Sequence, residues 1–276
     1  MSTYKELLQT AKTKLLEREI PDADLDAWYL MTYVFHINRT DYLLRGDEVA
    51  SDEEAERYLS YVEERARHIP LQHLTGTQEF MGLEFDVSKD VLIPRQDTEG
   101  LVEEILKICK GKSVLDMCTG SGCIIISLEK LGELESAYGV DISEQALMIA
   151  KRNAVKLDAK VEFVLSNLFQ QVNRSFDIIV SNPPYIRTSI IEELMPEVKD
   201  HEPHLALDGS EDGLKFYRSI AVDSKAHLKK NGYLFFEIGY DQGNDVKHIL
   251  QEEGYAEIVI KKDLSGLDRM VCARFI

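Results

Sequence analysis

Residues 113–126 read SVLDMCTGSGCIII. A short apolar run passes through Asp116, turns at Gly120 and Gly122, and leads directly into an apolar stretch with helical character. Glycines let the backbone turn tightly and approach a ligand, and a helix starting there presents unpaired N–H groups. Working outward, further apolar runs ending in polar residues lie at 136–141 (SAYGVD), 161–165 (VEFVL) and 176–181 (FDIIVS). Helical stretches at 122–131 and 143–157 separate the first three. That alternation predicts a parallel sheet built from βαβ units. Later runs at 232–239, 255–263 and 270–276 bring the strands to seven, with a helix predicted at 241–253. The last two runs have only a short loop between them, so one strand is expected to be antiparallel.

The glycine turn lacks the third glycine of a dinucleotide fingerprint; Ile125 stands there instead, which argues against a pyrophosphate. Asp141 ends the second strand, where an acid can accept hydrogen bonds from both hydroxyls of a ribose. A nucleoside without a pyrophosphate fits this pair best. Asp141 as a cap for the helix near 143 is the simpler alternative. At the end of the fourth strand comes SNPPYI, residues 181–186. Pro183 and Pro184 lack N–H groups and cannot continue a central strand, and Pro183 pushes Asn182 toward extended backbone. The result is a rigid loop at the carboxyl end of a strand, holding an amide and an aromatic ring where open α/β sheets bind ligands. Taken alone, Asn182 reads equally as a turn residue.

The first 75 residues read differently. Leu7, Leu8, Ala11, Leu15 and Leu16 fall at helical spacing, and a second helix carries Leu25, Trp28, Tyr29, Met31, Thr32 and Phe35. Ser51 three residues before Glu54 is a capping-box pattern, opening a helix that places Ala55, Tyr58, Leu59 and Val62 inward. His36, His68 and His73 are scattered, with no catalytic constellation around them. Around Gly82, residues 77–94 alternate apolar and polar, predicting a hairpin, and Asp97 is expected to cap the helix that follows. The expected organisation is a helical recognition domain at 1–75, a β-hairpin linker at 76–95 and an α/β domain at 96–276.

Composition narrows the partners. The chain has 276 residues, 44% of them hydrophobic, and a net charge of −17 from 32 basic and 49 acidic residues. Residues 1–75 hold 9 basic and 15 acidic residues, leaving 23 and 34 for the remainder. Neither part has the basic excess of a protein that binds nucleic acid by neutralising phosphates, so no stable nucleic-acid binding is expected. No apolar run reaches the ~18 residues of a spanning helix. The amino terminus is too charged for a signal peptide, so a cytoplasmic protein without membrane association is expected. Cys109, Cys118, Cys123 and Cys272 show neither metal-type spacing nor a disulfide framework. No metal is expected.

A glycine turn, a ribose-binding acid and Asn-Pro-Pro-Tyr, in that order, resemble the S-adenosylmethionine-dependent methyltransferases, and specifically the subgroup that methylates planar amide or amino nitrogen. Residues 70–103, DMCTGSGCIIISL (116–128), SNPPYI, EPHLALDGSEDGLKFYRSI (202–220), FEIGYDQG (236–243) and DLSGLDRMVCAR (263–274) resemble the peptide chain release factor glutamine methyltransferases. The resemblance implies a Rossmann-like methyltransferase domain and a helical amino-terminal domain. It implies S-adenosyl-L-methionine as cofactor, bound by Cys118, Thr119, Gly120, Ser121, Gly122, Asp141, Asn167, Leu168 and Asn182. The implied substrate is the Gly-Gly-Gln glutamine of class I release factors, held by Asn182, Pro183, Pro184 and Tyr185; Asn182, Pro183 and Tyr185 would serve catalysis, with the Tyr185 ring against the amide. A monomer is expected. Pro94 and Arg95 would close over the cofactor, and Glu202 and His204 either edge the substrate loop or lie at the surface. Three positions depart from the family pattern: Cys118 replaces a glycine, Gln96 a proline, and Asn167 an acid near the adenine. The competing readings are a methyltransferase acting on exocyclic amino groups of nucleic acid, and a catalytically silent scaffold of the same fold.

Overall fold

The computed structural model describes residues 2–276. Helices α1 (Tyr4–Glu17), α2 (Ala23–Phe35), α3 (Arg39–Arg45), α4 (Asp52–Arg65) and α5 (Leu71–Thr75) come first. The hairpin β1 (Thr77–Phe80) and β2 (Leu83–Asp86) precedes α6 (Gln96–Leu106), β3 (Ser113–Met117), α7 (Cys123–Gly132), β4 (Ser136–Asp141), α8 (Glu144–Lys156), β5 (Val161–Leu165) and β6 (Phe176–Ser181). Two helical turns follow, α9 (Pro196–Lys199) and α10 (His204–Leu207), then α11 (Lys215–Asp223), β7 (Leu228–Glu237), α12 (Gly243–Glu252), β8 (Ala256–Lys262) and β9 (Asp268–Arg274). Contacts divide the chain after Gly76 into two compact units, and they assign Met195–His201 to the first.

In the helical unit, local chemistry sets the helix starts. Thr3 and Asn38 each accept a backbone N–H from the residue three places on, while that residue's carboxylate accepts in return. Such caps contribute about 1 kcal/mol. Ser51 accepts from the Glu54 amide at 3.2 Å and donates its hydroxyl to the Glu54 carboxylate. Leu7, Leu8, Ala11, Leu15, Trp28, Met31, Phe35, Tyr58 and Val62 form the core. Leu16 is 60% exposed, and Leu25 and Tyr29 also face solvent. Each is offset from its buried neighbours around the helix, outside the inward stripe. Beneath this core lies a buried charge cluster. Arg65 donates to Asp26 at 2.6 Å and, with two nitrogens, to Glu197 on α9 at 3.0 Å, while His68 Nδ1 meets the same Glu197 oxygen.

The second unit carries a seven-stranded sheet in the order β5-β4-β3-β6-β7-β9-β8. The first five strands are parallel, and β9 runs antiparallel between β7 and β8. This is the Rossmann-like architecture. Residues 113–117, 136–141, 161–165 and 176–181 are strands over the bounds expected of them. Every residue of β3 is buried, the mark of a strand covered on both faces. Leu115, Ile179, Phe236 and Tyr217 pack one core, and Val114, Ile178, Ile125 and Ile105 pack the other. β7 begins earlier than its apolar run, because Leu228 pairs with Phe176 ahead of a register shift after which Tyr233 meets Ile178.

The hairpin belongs to this unit. Met81 and Gly82 both have positive φ (53° and 71°), the combination a two-residue type I′ turn requires. Asn153, fully buried on α8, ties the hairpin to the glycine turn: it accepts from Asp86 N at 2.7 Å and donates to Asp86 O at 3.0 Å and Ser121 O at 2.9 Å. The Thr98 amide closes the first turn of α6 onto Arg95 O, so Arg95 is the cap position, not the expected Asp97. Asp97 lies within the first turn and pairs with Arg269 at 3.2 Å.

Candidate active site

The strand order reverses direction between β3 and β6, and a cavity of about 150 Å³ opens at the carboxyl ends of β3, β4 and β6. Open α/β sheets bind ligands at this crevice. Cys118, Thr119, Gly120, Ser121, Asp141, Asn167, Leu168, Asn182 and Pro184 all line it. Gly122, Pro183 and Tyr185 do not. Gly122 caps α7 with φ 80°, and a Cβ there would meet Ile126 at 2.9 Å and Ala150 at 3.2 Å, so it serves close helix packing.

The glycine turn is held from below. Thr119 N donates to Val140 O and Gly122 N to Thr119 O, both at 2.9 Å. Cys118 and Gly120 both take left-handed backbone, φ 65° and 56°. Nothing stands within 4 Å of where a Gly120 Cβ would be, so a ligand can approach the backbone there. The left-handed φ of Cys118 is a conformation that glycine adopts more readily than any other residue.

Asp141 accepts from Gly120 N and Ser143 N, each at 2.9 Å. It therefore pins the turn to the end of β4, and burial pushes its carboxyl up despite these bonds. Two bonds leave a carboxylate with spare acceptor positions. The cap of α8 is Ser143, not Asp141. Beside it, Ile142 is 51% exposed on the cavity wall, and Asn167 is exposed there as well. Deeper, Asp116 is fully buried and accepts from Thr119 Oγ1 at 2.6 Å. Burial pushes Asp116 up to about 7, against the Thr119 hydroxyl, which favours charge.

The Asn-Pro-Pro-Tyr loop is braced on several sides. Ser181 Oγ donates to Met117 O at 2.6 Å, and Gln242 Nε2 donates to Tyr185 O at 3.0 Å. Ile186 pairs with Leu207 and Gly209 through the backbone. A Cβ on Gly209 would stand 2.8 Å from the Tyr185 backbone, which explains the glycine in LDGSEDG. The Tyr185 ring is half-buried against the core, and burial pushes its hydroxyl up to about 12. Asn182 Nδ2 lies 3.5 Å from Thr98 Oγ1, which donates to Glu237 Oε2 at 2.6 Å.

Sequence reasoning left the place of Glu202 and His204 open and did not single out Thr98, Ile142 or Glu237. Glu202 is 5% exposed, not a surface residue, and it receives Ile93 N at 3.1 Å and an Arg95 nitrogen at 2.6 Å. It thereby fixes the segment carrying Pro94 and Arg95 on the cavity wall. His204 is exposed. Thr98, Ile142 and Glu237 carry no motif of their own. The one available signal was an acid, Glu237, closing an apolar strand inside FEIG.

Two family models match parts of the chain. Residues 6–76 match the PrmC N-terminal domain family, and residues 94–201 match the methyltransferase small domain. A release factor glutamine methyltransferase of Agrobacterium fabrum is 38% identical over 99% of this chain and 98% of its own length. One of Clostridium botulinum is 40% identical over 98% of each chain. The chain belongs to the release factor glutamine methyltransferase family. Among solved structures, a methyltransferase from Pyrococcus furiosus overlays with a TM-score of 0.57 at 16% identity, covering 78% of this chain and 99% of that one. The human Mettl16 catalytic domain gives 0.56 at 17%, covering 82% and 83%. At such identity they show the shared fold. In this chain Gly120, Asp141, Asn182 and Pro184 line one cavity. No helix among the described residues is long and apolar enough to cross a membrane.

Proposed function

We propose that this protein transfers a methyl group from S-adenosyl-L-methionine to the side-chain nitrogen of the Gly-Gly-Gln glutamine in class I release factors. The observation that carries the reading is the convergence of Asp141, Gly120 and Asn182 on one cavity in a chain of this family. The residues present fit the cofactor. Asp141 retains acceptor positions for ribose hydroxyls, the open Gly120 backbone admits the amino-acid end, and the half-exposed Ile142 offers an apolar face to a base beside Asn167. The Asp141 carboxyl and Asp90 on the cavity wall give that lining an acidic character, which suits a sulfonium cation. When bound, the cofactor supplies an electrophilic methyl group.

The rest falls to the chain. A glutamine nitrogen is a poor nucleophile, because its lone pair is delocalised into the carbonyl. Asn182 Oδ1 and the Pro183 carbonyl accept from its two N–H groups, fixing the nitrogen and favouring charge on it as the transition state forms. Positioning of this kind is worth on the order of 7–11 kcal/mol. Pro184 and the anchored backbone of Tyr185 keep the loop rigid. The extra proton leaves the nitrogen afterwards, so no strong base is needed. We assign the helical unit to docking of the release factor.

The test is incubation of the protein with a purified class I release factor and labelled cofactor, followed by peptide mass spectrometry. One added methyl on the Gly-Gly-Gln glutamine is expected. A factor left unmodified beside methylated RNA or DNA in a parallel reaction would move the substrate to nucleic acid.

A further inference from the structure

Glu237 closes β7 with 3% of its surface exposed, and no part of the glutamine-binding scheme above uses it. Its Oε2 receives the Thr98 hydroxyl at 2.6 Å, and Thr98 Oγ1 lies 3.5 Å from Asn182 Nδ2. Counting protons fixes the sense of this chain. A charged carboxylate only accepts. Thr98 has one hydroxyl proton, spends it on Glu237, and can then only accept from Asn182. The amide must therefore turn Nδ2 toward Thr98 and leave Oδ1 for the cavity.

We infer that Glu237 is a positioning residue: through Thr98 its charged carboxylate sets the Asn182 carbonyl oxygen toward the substrate amide, and methyl transfer requires that charge. This rests on the glutamine methyltransferase reading, because only a substrate offering N–H donors needs an acceptor there. With Glu237 protonated, the carboxyl donates to Thr98, and the Thr98 proton turns toward Asn182 and calls for Oδ1. The amide then presents NH₂ to a substrate that also presents N–H, and the contact is lost.

The surroundings make this change accessible near neutrality. Burial pushes Glu237 up to about 7, and Asp97 pushes the same way. The Thr98 hydroxyl, the Arg269 guanidinium and the Asn182 amide favour the charged form. Arg269 is itself shared between Asp97 and Asp263, each at 3.2 Å. The other titratable groups facing Glu237 are Tyr185, Tyr217 and the Cys123 thiol; Tyr217 donates its hydroxyl to the Glu237 backbone carbonyl at 2.9 Å.

Single-turnover methylation of a release factor by the full chain tests the proposal, run from mildly acid to alkaline pH with cofactor affinity measured alongside. The wild-type rate is expected to fall about tenfold per pH unit below the range near 7. Glu237→Met, which keeps the length and offers Thr98 neither charge nor acceptor, should be slower on the order of 10²-fold, flat across that acid limb, and unchanged in cofactor affinity. Thr98→Val should lose a similar factor, and Thr98→Ser, which keeps the hydroxyl, should recover most of it; that pair carries the test if Glu237→Met does not fold. Glu237→Met with a wild-type rate and acid limb would overturn the relay while leaving the enzyme's activity standing. A loss traced wholly to cofactor affinity would overturn it too. If the wild type binds cofactor but methylates no release factor, the relay falls together with the functional reading.

Discussion

Asp141 and Cys118 show how much one side chain decides around the glycine turn. Asp141 accepts two backbone amides and keeps further acceptor positions on the cavity side. Asp141→Asn retains an oxygen for the turn and gives up the charge. Losing hydrogen bonds to a charged acceptor costs roughly 1.5–3 kcal/mol, so affinity for S-adenosylmethionine should drop about one to two decades. Titration calorimetry on the folded variant checks it, and wild-type affinity would remove Asp141 from the ribose site. Cys118 tells against intuition about conservative change. At φ 65° a β-branched side chain is a steric outlier. Cys118→Val should therefore lose about 1–2 kcal/mol of stability, while Cys118→Gly, which fits that backbone, should stay within about 1 kcal/mol of wild type. Urea unfolding of both variants reads the difference.

Strands β3 to β6 were legible in the sequence because each is a short, mainly apolar run ending in polar residues; β3 and β6 carry the near-continuous burial of central parallel strands, whereas β5, at the sheet edge, has no buried residue. The helical unit was less so. Its apolar residues outnumber the inward positions, so Leu16, Leu25 and Tyr29 looked like core and stand in solvent. Polar residues inside helices were harder still. Asn153 in KRNAVK has no motif, yet it alone joins α8, the hairpin and the Ser121 carbonyl. Asn153→Leu fills the volume and strands one buried amide and two carbonyls. At about 1–3 kcal/mol for each unsatisfied group, the variant should lose more than ~2 kcal/mol by denaturant unfolding. It should also bind cofactor more weakly, because Ser121 belongs to the glycine turn. Unchanged stability would mean these backbone groups find other partners.

Buried carboxylates give the whole molecule a pH dependence of definite sign. Asp116 ionises near 4 in an unfolded chain and near 7 when folded. Between those values the folded protein holds a proton that the unfolded chain has lost, so this group makes stability fall as pH rises through the window and level off above it. Glu237, also raised to about 7, adds the same sign. Against burial, Asp177 is held below its ordinary value by Lys229, Asp86 by Lys156, and Glu197 by its own backbone N–H with His68 and Arg65. They act in the opposite sense only at acid pH. Asp116→Asn cannot ionise, so its stability relative to wild type should grow from pH 5 to pH 8 by more than ~1.4 kcal/mol, the equivalent of one pKa unit. Thermal unfolding at the two pH values measures it. A constant offset would show that Asp116 is not the group responsible. The charge that Glu237 needs for positioning Asn182 thus appears near the upper end of that window, where the loss of stability levels off.

The order of strands and helices, the glycine turn, the strand-end acid and the Asn-Pro-Pro-Tyr loop were determined by the sequence alone, because each depends on residues within a few positions of one another. Backbone freedom at glycine, its restriction at proline and the period of apolar residues are local properties. What only the tertiary structure decided is which distant polar groups meet. Thr98 finds Glu237 across 139 positions, Arg95 finds Glu202 across 107, and Asn153 finds Asp86 across 67. Met195–His201 likewise joins the helical unit through Glu197, which meets Arg65 132 positions away. A buried hydrogen bond depends on tenths of an ångström and on the protonation of both partners. Neither is written in the spacing of residues along the chain, and both are set when the sheet and its helices close on one another.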